Sequence, residues 1–498
     1  MKKIMLCAAA LMCGTALFAQ SNMSSVTQTG SGNGSTVAQT GLTNVSDSDQ
    51  TGDNNTSFVS QTGVSNDSDM DQTGDDNNSD INQLGDENDY RTTQIGNNNT
   101  SDVDQEGNRN LGGGGTAWGT LQNGDNNNSV TSSLGDDNET GTQQAGDDNV
   151  ARITQEGNRN DANFGFLGWG IVQVGANNDA IIEQTGDDNT ATTYQSGDDN
   201  QFRTTQDGLN NDATVRQDGN RNLGGGPSLT WGILQIGDDN VASSFSIGDD
   251  NNSGTLQFGD DNESDVYQEG NRNNVNGLTS LAYGVEQIGD ENESDIDQIG
   301  DDNNASAEQR GDDNNSDIEQ NGDFNVASAY QEGEDNESDI DQDGDRNDAD
   351  VDQIGDDNDS DVDQTGDDNT STTYQEGNEN DSKTTQLGNN NNSDVDQIGD
   401  DNQSTVGQAG NDNQSDVNQV GDDNSSLVTQ IGDNHNSDVD QLGMDNTSFV
   451  TQTGLMQTST VLQQGNDNSS IVTQNGNNHI STVTQIGNNN SSTVTQNN

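Results

Sequence analysis

Glutamine returns every eleven residues along most of this chain, and that register admits few folds. Gln28, Gln39, Gln50, Gln61, Gln72, Gln83, Gln94 and Gln105 keep it without a slip, and from Gln287 it runs unbroken to Gln496. From Gln28 to Gln105 glycine follows two places after each of these glutamines, and asparagine three places after that; later repeats keep the pattern with few exceptions, such as His435, Gln457 and His479 in the asparagine place. The repeat reads S-x-V-x-Q-x-G-x-x-N-x. Counting Ser133 and Ser246, which stand where glutamine is expected, the array holds about 41 copies.

Composition alone would point elsewhere. Only 24% of residues are hydrophobic and 4% aromatic, and the formal charge is −76. Such values usually mean disorder. A disordered chain has no reason to keep an eleven-residue register. A stack of repeats with a thin, partly polar core does.

Each repeat alternates with period two, as a strand does. Ser, Val or Ile, and Gln fall on one face, and Asp or Thr on the other, as in Ser360-Asp361-Val362-Asp363-Gln364. The following G-D-D-N supplies turn residues: glycine tolerates positive φ, and Asp and Asn cap their own backbone. One strand buries almost nothing, so the repeats must stack. The expected fold is all-β: a β-solenoid of strand-turn repeats, two per 22-residue rung, with cross-β-like stacking. Gln and Asn amides then bond to their copies one rung away. The expected ladder residues are Gln61, Gly63, Asn66, Ser68 and Gln72, and likewise Gln353, Gly355, Asn358, Ser360 and Gln364.

Residues 1–19 read as a signal peptide. Lys2 and Lys3 precede a short apolar run from Ile4 to Phe18, with a cut expected after Ala19. Both cysteines, Cys7 and Cys13, lie there, so the mature chain carries no thiol. No later stretch is apolar enough to span a bilayer. Residues 20–498 read as a single repeat solenoid.

Stacking concentrates charge: about four negative charges per rung, with rungs about 4.8 Å apart. Cations or protons must neutralise part of it. Arg91 and Lys383 lie 22 places after Asp69 and Asp361, so each should sit directly over its carboxylate. The remaining carboxylates offer hard oxygen ligands, and calcium is the candidate cofactor, at Asp356, Asp357, Asp361 and Asp363. The plainer expectation is a solvated acidic surface that keeps the chain soluble. Charge fades toward the end: from Asn446 onward the only acidic residue is Asp467. An incoming rung is repelled least there. The expected assembly end is Ser481, Val483, Gln485, Val494 and Gln496.

Four repeats are lengthened, near 108–120, 158–171, 220–233 and 271–285. Each insertion follows G-N-R-N and ends in an aromatic residue plus glycine, at Trp118, Trp169, Trp231 and Tyr283. Exposed, these aromatics would form binding loops. Alternatively the loops fold back and cover a solenoid face.

Catalysis has little support. The chain has two histidines, both in turn positions, and its carboxylate pairs recur too often to mark one site. So acidic a surface does not suit nucleic acid.

The repeat resembles the curlin repeat of bacterial curli fibres. The family pattern is Gln, then Gly two later, Asn five later, Ala or Ser seven later and Gln eleven later; both sets of ladder residues above fit it. The resemblance implies a secreted structural protein that forms or decorates extracellular functional amyloid of the biofilm matrix. It implies self-assembly or assembly with related curlin subunits, export through curli-type outer-membrane machinery, and adhesion to surfaces and other cells. This array is longer and more acidic than a typical curlin subunit. The alternative is therefore a monomeric acidic β-solenoid acting as an adhesin or a calcium-dependent extracellular spacer.

Overall fold

The computed structural model describes residues 21–113, 119–162, 169–224, 232–275 and 284–497. The expected signal peptide lies outside them. The chain divides into two compact units, Met1–Thr193 and Tyr194–Asn498. All regular structure among the described residues is β.

Both units are parallel β-solenoids with a 22-residue rung. In the first, strand Asp67–Thr73 lies between Val45–Thr51 and Asp89–Ile95, and Asp69 sits between Asp47 and Arg91. In the second, Asp359–Thr365 lies between Glu337–Asp343 and Asp381–Leu387, and Asp361 sits between Asp339 and Lys383. Consecutive repeats alternate between two sheets, so each strand pairs with the strand two repeats away.

Alternation within each strand produces the layers. In Asp359–Thr365 the side chains of Ser360, Val362 and Gln364 are buried, and their neighbours face out. The buried aliphatic side chains stack into thin columns, Val59, Met70, Ile81 and Val103 in the first unit and Val395 through Val483 in the second. Hydrocarbon fills only one inward position in three, so the amide ladders must carry the rest of the interior.

The turn after each strand is fixed by backbone geometry. Gly355 has φ 127°, and the second residue beyond it, Asp357, has φ 57°. Only glycine adopts the first conformation readily, and Asp and Asn are among the few side chains that tolerate the second. The turn aspartate behaves differently from the sequence expectation. Asp356 does not cap its own turn; its Oδ1 accepts the backbone N–H of Glu334, one rung earlier, at 3.0 Å.

The insertions interrupt strands rather than lengthen turns. After Asn110 the strand begins with Leu111–Gly112 and resumes as Thr120–Asn123, each piece still paired with its neighbours. The chain therefore leaves from the outward position in the middle of the strand. The same break separates Asp161–Ala162 from Ile171–Val174, Leu223–Gly224 from Ile233–Ile236, and Asn274–Val275 from Val285–Ile288. In the first unit both breaks fall in one sheet, as they do in the second. The glycine that closes each insertion has no room for a side chain. A Cβ on Gly119 would lie 2.4 Å from the Tyr90 ring, and one on Gly232 2.1 Å from the Phe202 ring. Tyr90 and Phe202 are large residues in the small serine position. They fit because Gly112 and Gly224 occupy that position one rung later.

Candidate functional site

The amide ladders are the feature that could do something beyond folding, because they bond copies of one residue in a line. Gln353 shows the pattern. Its Nε2 donates to Gln375 Oε1 one rung on at 2.9 Å and to the carbonyl of Glu337 across the core at 2.8 Å, while its Oε1 accepts from Gln331 at 3.0 Å. Gln61 repeats it, donating to Gln83 and to Val45 O. Every such glutamine donates toward the C-terminal side, so the ladder has a direction.

Asparagine ties turn to turn. Asn358 Oδ1 accepts the backbone N–H of Asn380 at 3.2 Å, and its Nδ2 donates to Gly377 O at 2.9 Å and Asn336 Oδ1 at 3.0 Å. Asn66 likewise donates to Gly85 O. Gly63 and Gly355 complete the turns, because a Cβ on either would meet the carbonyl oxygen of the next rung's glycine at 1.8 and 2.0 Å. Gln72 and Gln364 follow the same pattern as Gln61 and Gln353.

Serine is different. Ser68 Oγ accepts from Gln61 at 3.3 Å, but Ser338, Ser360 and Ser382 hydroxyls have no hydrogen-bond partner among the described residues. Alanine holds the same position at Ala305, Ala327 and Ala349. The position selects for small size, not for a hydroxyl ladder.

At the far end, Ser481, Val483 and Gln485 are buried, while Val494 is only partly buried against the valine column. Gln496 accepts from Gln474 and donates to Ile480 O; Gln485 donates to Ser469 O. Among the described residues no further rung receives the remaining N–H of either amide. In the first unit Gln28 and Gln39 donate to Gln50 and Gln61, and among the described residues no donor meets their Oε1 atoms.

The outer faces hold the carboxylates. Arg91 bridges Asp69 at 3.3 Å and Asp71 at 2.8 Å, and Lys383 pairs with Asp361. Sequence reasoning missed a second set of pairs. Arg109, Arg159, Arg221 and Arg272, in the turns that precede the insertions, each grip an aspartate one rung later: Asp137, Asp188, Asp250 and Asp302. The partners lie 28 to 30 residues away in sequence, so each pair joins the rungs before and after an insertion. Adding each insertion's length to the 22-residue spacing would have found them. Each guanidinium holds its aspartate below the usual carboxylate range.

The expected calcium ligands lie on the turns and outer face of the second unit. Asp356 caps Glu334, Asp357 forms the turn and Asp361 pairs with Lys383, which also lies 3.9 Å from Asp363. Among the described residues no three Asp, Glu, His or Cys side chains are grouped so as to hold a metal ion. Of the insertion aromatics, Trp169 is 5% exposed, which fits the covered alternative rather than an exposed binding loop. Trp118, Trp231 and Tyr283 lie outside the described residues.

Unpaired rows of aspartate bind protons. Burial, with Asp297, Asp265, Asp317 and Glu293 close by, pushes Asp295 up to about 7. Burial and its neighbours push Asp339 up to about 6. A carboxyl whose pKa rises on folding takes up protons in the folded state, so its stabilisation is full below about pH 4 and is lost as pH rises through 6 to 7. The second unit should therefore melt higher at pH 5 than at pH 7.5. His435 opposes this: it is buried, its Nδ1 accepts the Gln457 N–H, and burial lowers its pKa, so it loses stability on acidification below about 6.5. Asp295→Asn with Asp339→Asn should raise the pH 7.5 melting temperature and flatten the profile, read by calorimetry.

The profile of the curlin associated repeat matches twelve stretches: residues 52–85, 135–165, 146–186, 175–208, 186–219, 259–300, 284–311, 311–344, 333–366, 388–421, 421–454 and 465–497. Together they cover well over half of the sequence. The chain belongs to the curlin-repeat family. No curated protein matches it. In curlin terms, the matched Gln, Gly and Asn positions are the ladder and turn residues described above. Curlin repeats point to a structural protein, extracellular or on the cell surface, that self-assembles. Among the described residues no helix is long and apolar enough to cross a membrane.

Proposed function

We propose that this curlin-repeat protein builds or decorates curli-like extracellular amyloid fibres, adhering to cells and surfaces after export by curli-type outer-membrane machinery. One observation carries the reading: the polarity of the glutamine ladder. The rung at Gln485 and Gln496 offers amide N–H groups, and the rung at Gln28 and Gln39 offers amide oxygens. Two such ends complement each other head to tail and mismatch in either other orientation. Val26, an inward residue of the first strand, is 47% exposed and would be covered by such stacking. Open sheet ends are templates for further pairing.

Truncation after Gln441 removes the sparsely charged rungs and puts a ladder end beside Asp438 and Asp440. The truncated chain should fibrillate several-fold more slowly than the full chain in a thioflavin assay seeded with full-length fibres. An unchanged rate would count against this end.

A further inference from the structure

On one sheet of the second unit the outer surface changes character. Asp295, Asp317, Asp339 and Asp361 stack in the third position of successive strands, and Lys383 closes the row. Beyond it that sheet has no charged residue in its outward strand positions through Gln403–Ala409, Thr447–Leu455 and Ser491–Asn497. Ser425–Asp433 and Ser469–Asn477 add none before the turn residue Asp433. Thr405, Leu427, Phe449, Ile471 and Thr493 stack in register instead. Leu427, Phe449 and Ile471 are 37, 40 and 41% exposed, and Thr429, Thr451, Thr473 and Thr495 line the next outward position. The opposite sheet stays acidic further, to Asp438 and Asp440.

We infer that this uncharged face is a lateral contact between two copies of the chain, packed face to face with their solenoid axes antiparallel. Three considerations select a second copy. Two chains this acidic can approach only where charge is absent, and this face is the longest such stretch on the sheet. A surface with side chains repeating every ~4.8 Å interdigitates best with one of identical pitch. Five strands of seven residues span roughly 24 by 23 Å, about 550 Å² per copy. Two such faces reach about 1,100 Å² in total, just above the roughly 1,000 Å² that a specific interface should clear and within the weak class. Charge also sets the direction. In a parallel pair the Asp361 and Asp363 rows of the two copies would face each other across about 10 Å. A two-fold axis along the Phe449 strand sets Leu427 opposite Ile471 and Thr405 opposite Thr493, and carries the acidic rows to opposite ends.

The inference does not rest on end-to-end stacking. It predicts thickness rather than length, so either can fail alone. The test uses the full chain with Cys7 and Cys13 replaced by serine. Sedimentation should show a species of twice the chain mass, and Leu427→Asp, Phe449→Asp and Ile471→Asp together should abolish it. Asp occupies the same strand position at Asp339 and Asp361, so unchanged hydrogen-exchange protection of these strands should confirm that the variant folds. With a short bifunctional maleimide, Phe449→Cys should crosslink to itself. Thr493→Cys should crosslink only when mixed with Thr405→Cys. No double-mass species, an unaffected triple variant, self-crosslinking of Thr493→Cys, or a face that binds polysaccharide while the chain stays single would each overturn the inference.

Discussion

Replacing Gly355 with alanine should unfold the rungs on either side of it, whereas the same change at Gly407 should be silent. Gly355 has φ 127°, and an added Cβ would sit 2.0 Å from Gly377 O. Neither problem relaxes easily, because the obstacle is backbone and the same carbonyl accepts from Asn358 Nδ2. Strain of this kind costs about 1–3 kcal/mol before the clash is counted. A total of about 3 kcal/mol or more is expected, and hydrogen exchange should show lost protection around residues 333 to 377. Gly407 faces outward, and its Cβ would find only Val428 O within reach, at 3.9 Å. Equal effects at the two glycines would contradict the role given to the turn.

The second large effect is expected at Asn358. Leucine there would leave Gly377 O, the Asn380 N–H and Asn336 Oδ1 short of the bonds the asparagine makes. Each buried polar group left unsatisfied costs about 1–3 kcal/mol, so the loss should exceed about 3 kcal/mol. Ser360→Ala, two residues away, should change stability by less than about 0.5 kcal/mol, since its hydroxyl has no partner to lose and alanine already fills that position at Ala349. Denaturant melts of the two variants side by side would settle which inward residues hold the rungs together.

Periodicity made most of this architecture readable in the sequence. An eleven-residue register with period-two alternation leaves one way to bury Val362 and Gln364 together, and the 22-residue rung follows. That spacing correctly put Arg91 over Asp69 and Lys383 over Asp361. What escaped notice depended on neighbours a single repeat does not reveal. Asp356 resembles a self-capping turn residue until the backbone of Glu334 is seen beneath it. Ser360 resembles a ladder member until its hydroxyl is found alone. The insertions look like long turns, because the break point is set by strand pairing on both sides of Leu111–Gly112 rather than by composition. On sequence alone Trp169 could stand exposed or fold back, and only its spatial neighbours bury it.

Alternation between two sheets also constrains how such a gene can change length. Gaining or losing 22 residues restores the phase, and everything downstream keeps its side of the solenoid. A single eleven-residue slip transposes all that follows. Deleting one repeat between Asp339 and Asp361 would send Asp361, Lys383 and the whole Leu427–Phe449–Ile471 column to the other sheet. Each repeat would remain intact, yet the pattern painted along each side would be scrambled. Expansion and contraction in even steps is thus the only kind that preserves this surface.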